Sequence, residues 1–252
     1  MKMRVLVVTL LLLPSLLAQD SKPATLPPKG SSVDITIIWA GTRPVQKPFE
    51  IPRDYLRTFA NDGGYCQKCV DQGKLKDESL IIGKEGGIQN VAVSFPRIKT
   101  DIPGLPAVTI TNKDCRFAPH IQFAPVGKAV RLTNEDELSH NAKVSRRKGR
   151  PLANRLIPPK GASSTPVVPR PGIYAVTCDI HPWMKGWLIG SRNPYCAITN
   201  EKGKARIKGV PPGKDLILAV WHESLGAFRK KVVVKPNGTL VLKLTQNDLK
   251  LK

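Results

Sequence analysis

Proline and glycine set the terms for this chain. Twenty-three prolines and twenty glycines are scattered through its 252 residues. Most of the sequence never runs far enough without one to build a long helix. Between them lie short runs rich in Val, Ile and Thr: "SVDITIIW" (32–39), "IQNVAVSF" (88–95), "AVTIT" (107–111), "AVRLTN" (129–134), "IYAVTC" (173–178), "AITN" (197–200), "LILAVW" (216–221), "KKVVV" (230–234) and "LVLKLT" (240–245). β-Branched side chains fit a pleated, half-buried surface. Short strands at regular spacing with turn residues between them predict an all-β fold of sandwiches or barrels. The one plausible helical turn is "PRDYLRTFAND", 52–62, and no tandem repeat is visible.

Three linkers divide the chain. "DSKPATLPPKGSS" (20–32) is a flexible or extended lead-in, "PPKGASSTPVVPRPG" (158–172) a long proline-rich loop, and "SRNP" (191–194) a break before a new set of strands. The first residues, "MKMR" and then the apolar "VLVVTLLLL", have the form of a secretory signal peptide over 1–19, with cleavage near Ala18 to Asp20. A retained membrane anchor is the alternative, but Gln19 and Asp20 end the apolar run abruptly. The protein is therefore expected to be exported, to a periplasm or cell envelope. The remaining divisions are a β-rich region with a cysteine-bearing insert (20–105), a central domain (106–191) and a C-terminal module (192–252). Strands in 33–105 either extend the central sheet or form a small sandwich with the C-terminal ones.

Charge speaks about partners. Forty basic residues against nineteen acidic ones give a formal net charge of +21. An exported protein rarely meets nucleic acid, so an acidic protein, an anionic membrane or an acidic wall surface is the expected partner. The densest basic run, "KVSRRKGRPLANR" (143–155), reads either as a solvated face or as a docking patch.

The chain has five cysteines: Cys66, Cys69, Cys115, Cys178 and Cys196. An odd count in an oxidising compartment asks for a free or metal-bound thiol. With Cys178 set aside as a ligand, the other four suffice for two disulfides, in any of three pairings. "CQKCV" (66–70) lacks the following histidine of a c-type haem site and is too isolated for a zinc ribbon. No βαβ pattern surrounds it to support a thioredoxin-like role, so it reads as disulfide-forming.

Soft and borderline metal ligands concentrate in "TCDIHPWMKGW" (177–187). Cys178 closes a predicted strand, and His181 and Met184 follow on the loop. Thiolate, imidazole and thioether belong to the ligand set of a copper electron-transfer site, which needs a second imidazole in the metal plane and Met as a weak axial ligand. "LTNEDELSHNAKV" (132–144) supplies His140, and Asn141 beside it is placed to hydrogen-bond across to the ligand loop. Zinc would prefer more Cys or His and would not need Met. A dinuclear copper centre would need a second cysteine near Cys178. His120 reads as a structural residue or an extra metal contact, and His222 as structural.

The stretch "FAPHIQFAPVGKAVRLTNEDELSHNAKV" resembles the plastocyanin-like cupredoxins, on Phe117, Pro119, Gly127, Asn134, His140 and Asn141, with Val144 arriving late. "C-x-x-H-x-x-M" resembles the short ligand loop of their amicyanin-like branch. The resemblance covers roughly 105–191 and implies a Greek-key β-sandwich holding one type 1 copper on His140, Cys178, His181 and Met184. Residues 199–226 resemble a different family, the carboxypeptidase-regulatory, transthyretin-like β-sandwich modules, on Gly203, Ile207, Val210, Pro211, Pro212 and Gly213. The tandem order is similar to that of exported bacterial methylamine-utilisation or plastocyanin-like proteins. Cys196 stands where that pattern usually has an aromatic, so the disulfide expected of it is peculiar to this chain.

These readings point to an electron carrier rather than an enzyme, serving an acidic redox partner such as a cytochrome or a copper or quinoprotein enzyme. Pro182 and Trp183 beside His181 are expected to form the contact surface. Copper storage or delivery uses the same ligands, and a carbohydrate-binding envelope protein is the alternative from another class. A copper oxidase or nitrite reductase would need a second copper site with more histidines than His120 and His222.

Overall fold

In a computed structural model of the chain, described over residues 30–46, 48–100, 104–146, 151–165 and 168–249, strand β1 (Ser31–Ile38) buries Val33, Ile35 and Ile37 and leaves the residues between them partly exposed. That is the period of a strand with one face in a core. Two helices follow, α1 (Arg53–Thr58) and α2 (Ala60–Asp71), and then β2 (Ala92–Ser94). Nine strands make up the middle of the chain: β3 (Thr109–Lys113), β4 (Arg116–Ala118), β5 (Ile121–Pro125), β6 (Arg131–Asn134), β7 (His140–Arg146), β8 (Ala153–Ile157), β9 (Ala162–Ser164), β10 (Gly172–Thr177) and β11 (Lys185–Ser191). The last five are β12 (Cys196–Ile198), β13 (Lys204–Val210), β14 (Gly213–His222), β15 (Gly226–Val234) and β16 (Thr239–Thr245). The fold is all-β apart from the two helices and a closing 3-10 turn, Gln246–Leu249. The expected signal segment, 1–19, lies outside the described residues.

The strands form two sandwiches. In the central one, a five-stranded sheet of order β5-β11-β10-β7-β8 faces a four-stranded sheet of order β4-β3-β6-β9. Ile110, Phe117 and Leu132 from the smaller sheet meet Val144, Val176 and Leu188 from the larger in one buried cluster. In the outer sandwich, β13-β1-β16 faces β12-β2-β14-β15, and Ile35, Ile207 and Leu244 pack against Val93, Leu218 and Val232.

The connectivity is nested. β1 pairs antiparallel with β13 and parallel with β16, and β2 pairs with β12 and β14. Strands from 20–105 and 192–252, divided in the sequence by linkers, thus share both outer sheets. The chain leaves the outer sandwich after β2, builds the central one, and returns at β12. Ala92, Ile121 and Phe123 form a buried seam between the two, bordered by Trp187 and Trp221, which meet edge to face at 5.0 Å.

The helical excursion corrects two expectations. One turn was foreseen over 52–62, yet helix continues to Asp71 through Gly63 and Gly64, residues that read as breakers. Tertiary contact overrides that local preference. Gly63 backs onto α1 so closely that a Cβ there would lie 2.8 Å from Leu56 Cδ2. Cys66 and Cys69, one turn apart, both face inward, and Cys66 is bonded to Cys115. The second correction is to the two expected disulfides: Cys69 and Cys196 are free thiols. Cys66 takes the available partner, leaving Cys69 beside it in the same cluster, while Cys196 sits on β12 at the seam between sandwiches.

Candidate metal centre

Asn134, at the end of β6, shapes the turn that leads to His140. Its side-chain amide donates to the carbonyls of Leu138, Ile157 and Pro158 at 2.6, 3.1 and 3.1 Å, and its Oδ1 accepts from the Asp136 N–H at 3.0 Å. The turn so held carries Asp136 inward. Asp136 accepts the backbone N–H groups of Asp114 and Cys115 at 2.7 and 2.9 Å. It also contacts His140 Nε2 at 2.9 Å. A carboxylate on one ring nitrogen fixes the imidazole and leaves the other for a ligand. His140 Nδ1 accordingly points at His181 Nδ1, 2.9 Å away.

Cys178 follows β10 directly, and the loop after it closes on itself. The Cys178 N–H donates to the Met184 carbonyl at 3.3 Å, and the Met184 N–H to the His181 carbonyl at 2.9 Å. Cys178 Sγ receives the N–H groups of Asn141 and His181 at 3.4 Å each. Asn141 straps the loop to β7: its Oδ1 accepts from the Asp179 N–H at 2.7 Å and from the thiol at 3.1 Å. Its amide donates to Asn154 Oδ1 at 2.7 Å. Lys143 and Asn154 hold Asp179 from outside, and the Lys143 hydrogen bond keeps that carboxyl below the usual carboxylate range.

Among the described residues, His140, Cys178 and His181 are the group that could hold a metal ion: one ligand atom from each lies within 4.8 Å of the others, and all three side chains are buried. Met184 is buried in the same core cluster as Cys178. Two inward imidazole nitrogens and a sulfur ringed by N–H donors suit a soft or borderline transition metal. The electrostatics agree. Burial pushes the Asp136 carboxyl up, but hydrogen bonds from His140 and the backbone of Cys115 and Asp114 outweigh it and hold the group low. Burial pushes His140 down, and Asp136 and Cys178 outweigh that and raise it. Burial, then the neighbouring His140 charge, push His181 down to about 4. The 2.9 Å contact between the two Nδ1 atoms requires one shared proton, and a cation can replace it.

The helices cover this centre. Tyr55 of α1 lies 5.8 Å from the His181 ring and meets Trp183 edge to face at 4.8 Å, and Trp183 lies 5.4 Å from His181. Tyr65 of α2 reaches Asp136 Oδ1 at 3.3 Å. His181 is 0 % exposed. Of the two residues expected to form a contact surface, Pro182 is exposed, and Trp183 is half-buried against Tyr55 and donates to the Cys115 carbonyl at 3.3 Å. Sequence reasoning missed Asp136, Tyr55 and Tyr65. Asp136 lies four residues before His140, but Glu135 and Glu137 beside it carry the same local signal.

His120 and His222 lie outside the cluster. His120, between β4 and β5, contacts Glu223, and His222 ends β14 with its Nδ1 accepting the Ser224 N–H at 3.2 Å.

No family model matches the chain, and no curated protein does. Solved structures similar to it include a Cu-containing nitrite reductase from Thermus scotoductus SA-01, 25% identical, TM-score 0.31, covering 37% of this chain and 24% of that one. The chain thus spans about a quarter of that enzyme's length. A purple cupredoxin from Nitrosopumilus maritimus is 25% identical, TM-score 0.30, covering 33% of this chain and 99% of that one. The oxidised state of an amicyanin mutant is 20% identical, TM-score 0.31, covering 34% and 82%.

Proposed function

We propose that this is an exported type 1 copper protein that carries single electrons. The observation that carries the reading is the buried triad of His140, Cys178 and His181, with ligand atoms within 4.8 Å, set in a frame that orients each donor. Copper, when bound, supplies one-electron exchange between its two oxidation states. The chain supplies the rest. Asp136 orients His140, Asn141 and the His181 N–H shape the field at the sulfur, and Met184 would offer its thioether as a further donor. The sheet and the helical cover keep water out and hold the donors nearly fixed, so that little reorganisation accompanies a change of charge. The +21 charge favours an acidic redox partner such as a cytochrome or a copper or quinoprotein enzyme, with association that weakens as salt rises. The outer sandwich is read as a transthyretin-like accessory module, with an anionic membrane or wall surface as a further contact.

One observation favours a second reading, copper storage or delivery: the His181 ring is shut away beneath Tyr55 and Trp183, where a carrier would present an edge. Titration of the purified protein with Cu(II) tests the first claim. An intense visible thiolate-to-copper band, absent in Cys178→Ser, is expected. A folded protein with a free Cys178 thiol and no band at one equivalent would overturn the type 1 assignment. Voltammetry then separates the two readings, a carrier giving a fast reversible couple and a store a sluggish or one-sided one.

A further inference from the structure

Beside Met184 lies a cavity of about 110 Å³ lined by Glu78, Arg116, His120, Met184, Lys185 and Glu223. It belongs to neither sandwich alone. Glu78 comes from the segment after α2, His120 from between β4 and β5, and Glu223 from the turn after β14. His120 is 7 % exposed. Its Nε2 contacts Glu223 Oε1, and a carboxylate there can only accept, so Nε2 carries the proton. Lys185 holds the other Glu223 oxygen at 3.2 Å. Arg116 holds Glu78 Oε1 at 3.1 Å. His120 Nδ1 and Arg116 Nε are buried without a hydrogen-bond partner, and Glu78 Oε2 lies 3.7 Å from His120 Nδ1.

That separation is too long for a hydrogen bond. It fits two donors on one ion, since ligands each about 2.0–2.2 Å from a metal stand up to about 4 Å apart. The carboxylate-imidazole arrangement also repeats that of His140, whose Nε2 meets Asp136 while Nδ1 faces the triad. A buried imidazole nitrogen with no partner is costly, and a cation removes the cost. We infer that His120 Nδ1 and Glu78 Oε2 form a second divalent-metal site, one that takes Cu(II) more weakly than the triad and holds it on the Met184 side of the ligand loop. Two protein donors completed by water make a weak site, and the Irving–Williams order favours Cu(II) among the divalent ions. Its role as a way-station for copper rests on the function proposed above, whereas the site itself stands on its own donors.

The test is Cu(II) titration of the metal-free full-length protein, followed by visible absorption, electron paramagnetic resonance and metal counting. Wild type is expected to take a second equivalent that adds a nitrogen- and oxygen-ligated resonance signal without adding thiolate absorbance. His120→Gln and Glu78→Gln should each weaken that equivalent by about ten-fold or more, consistent with loss of one of few donors, and leave the thiolate band intact. Glu78→Gln keeps an acceptor for Arg116, and circular dichroism checks the fold of both variants. Equal uptake and identical resonance spectra in wild type and both variants would overturn the inference. A His120-dependent equivalent in protein that shows no thiolate band would support the second site while the type 1 reading fails.

Discussion

Asp136 ties the centre to the turn that precedes His140. Four donors converge on it: His140 Nε2, the backbone N–H groups of Asp114 and Cys115, and the Tyr65 hydroxyl. Asp136→Asn keeps the shape but gives up the charge and turns an amide toward one of those donors. Copper affinity measured by chelator competition should fall about 10–100-fold, the usual cost of losing a partner of a ligating imidazole. An unchanged affinity would mean that the turn alone orients His140. His222 sets a different expectation. Burial pushes it down to about 4, against an ordinary value of 6.5, with the Glu223 carboxylate opposing. The unfolded chain therefore takes up a proton that the folded one refuses. Stability from this residue is complete above about pH 6.5 and falls as pH drops toward 4, by about 3 kcal/mol in all. His222→Gln should flatten the melting temperature against pH over that window. An equal slope in the variant would move the acid sensitivity elsewhere.

At the scale of elements, α1 and α2 have weak sequences for helices. Neither has a side-chain N-cap, and α2 contains two adjacent glycines. Their hold on the centre comes from the Cys66–Cys115 bond, which spans 49 residues, and from aromatic contacts. Cys66→Ser should cost about 2–4 kcal/mol in chemical denaturation. It should also raise the rate at which an external chelator strips copper, because the cover over His181 then opens more often. A variant that loses stability but releases copper at the wild-type rate would show that the helices do not limit access. The elements also show why some of the structure was legible in the sequence. The β-branched runs predicted most strand positions because alternation is a local property. The ligand loop stood out because Cys178, His181 and Met184 lie within one turn of chain. The first turn of the helical cover was legible at 52–62, but its continuation through α2 was not, since its stability depends on Cys115 and Trp183, far away in sequence. Nor was Asp136, since only the bonds of Asn134 decide which of three consecutive acids turns inward.

The whole molecule is a sandwich inserted within a sandwich, and its two parts meet at a seam centred on Trp187 and Trp221. The His120–Glu223 contact crosses the same boundary. Removing an aromatic side chain from such a seam costs about 3–5 kcal/mol when it is well packed. Trp221→Ala should therefore split a single thermal transition into two, with copper raising the midpoint of the central sandwich alone. One transition in the variant would show that the shared strands, rather than the seam, make the molecule cooperative. The alternatives left open for residues 33–105 are resolved at this scale: β1 and β2 join the C-terminal strands. That could not be read locally, because β1 has the same alternation whichever sheet receives it.

Nesting also imposes an order on folding. β1 cannot close its sheet until β16 exists, since Ser32 lies beside Thr239 and Ile38 beside Thr245. Pairings so distant in sequence form slowly. The central strands, β3 to β11, find all their sheet partners among themselves and are free to assemble while the outer sheets still wait. β7 and β10, the strands that bring His140 and Cys178 together, pair with each other inside this central set. Assembly of the ligand-bearing strands thus does not wait on the distant pairing of β1 with β16.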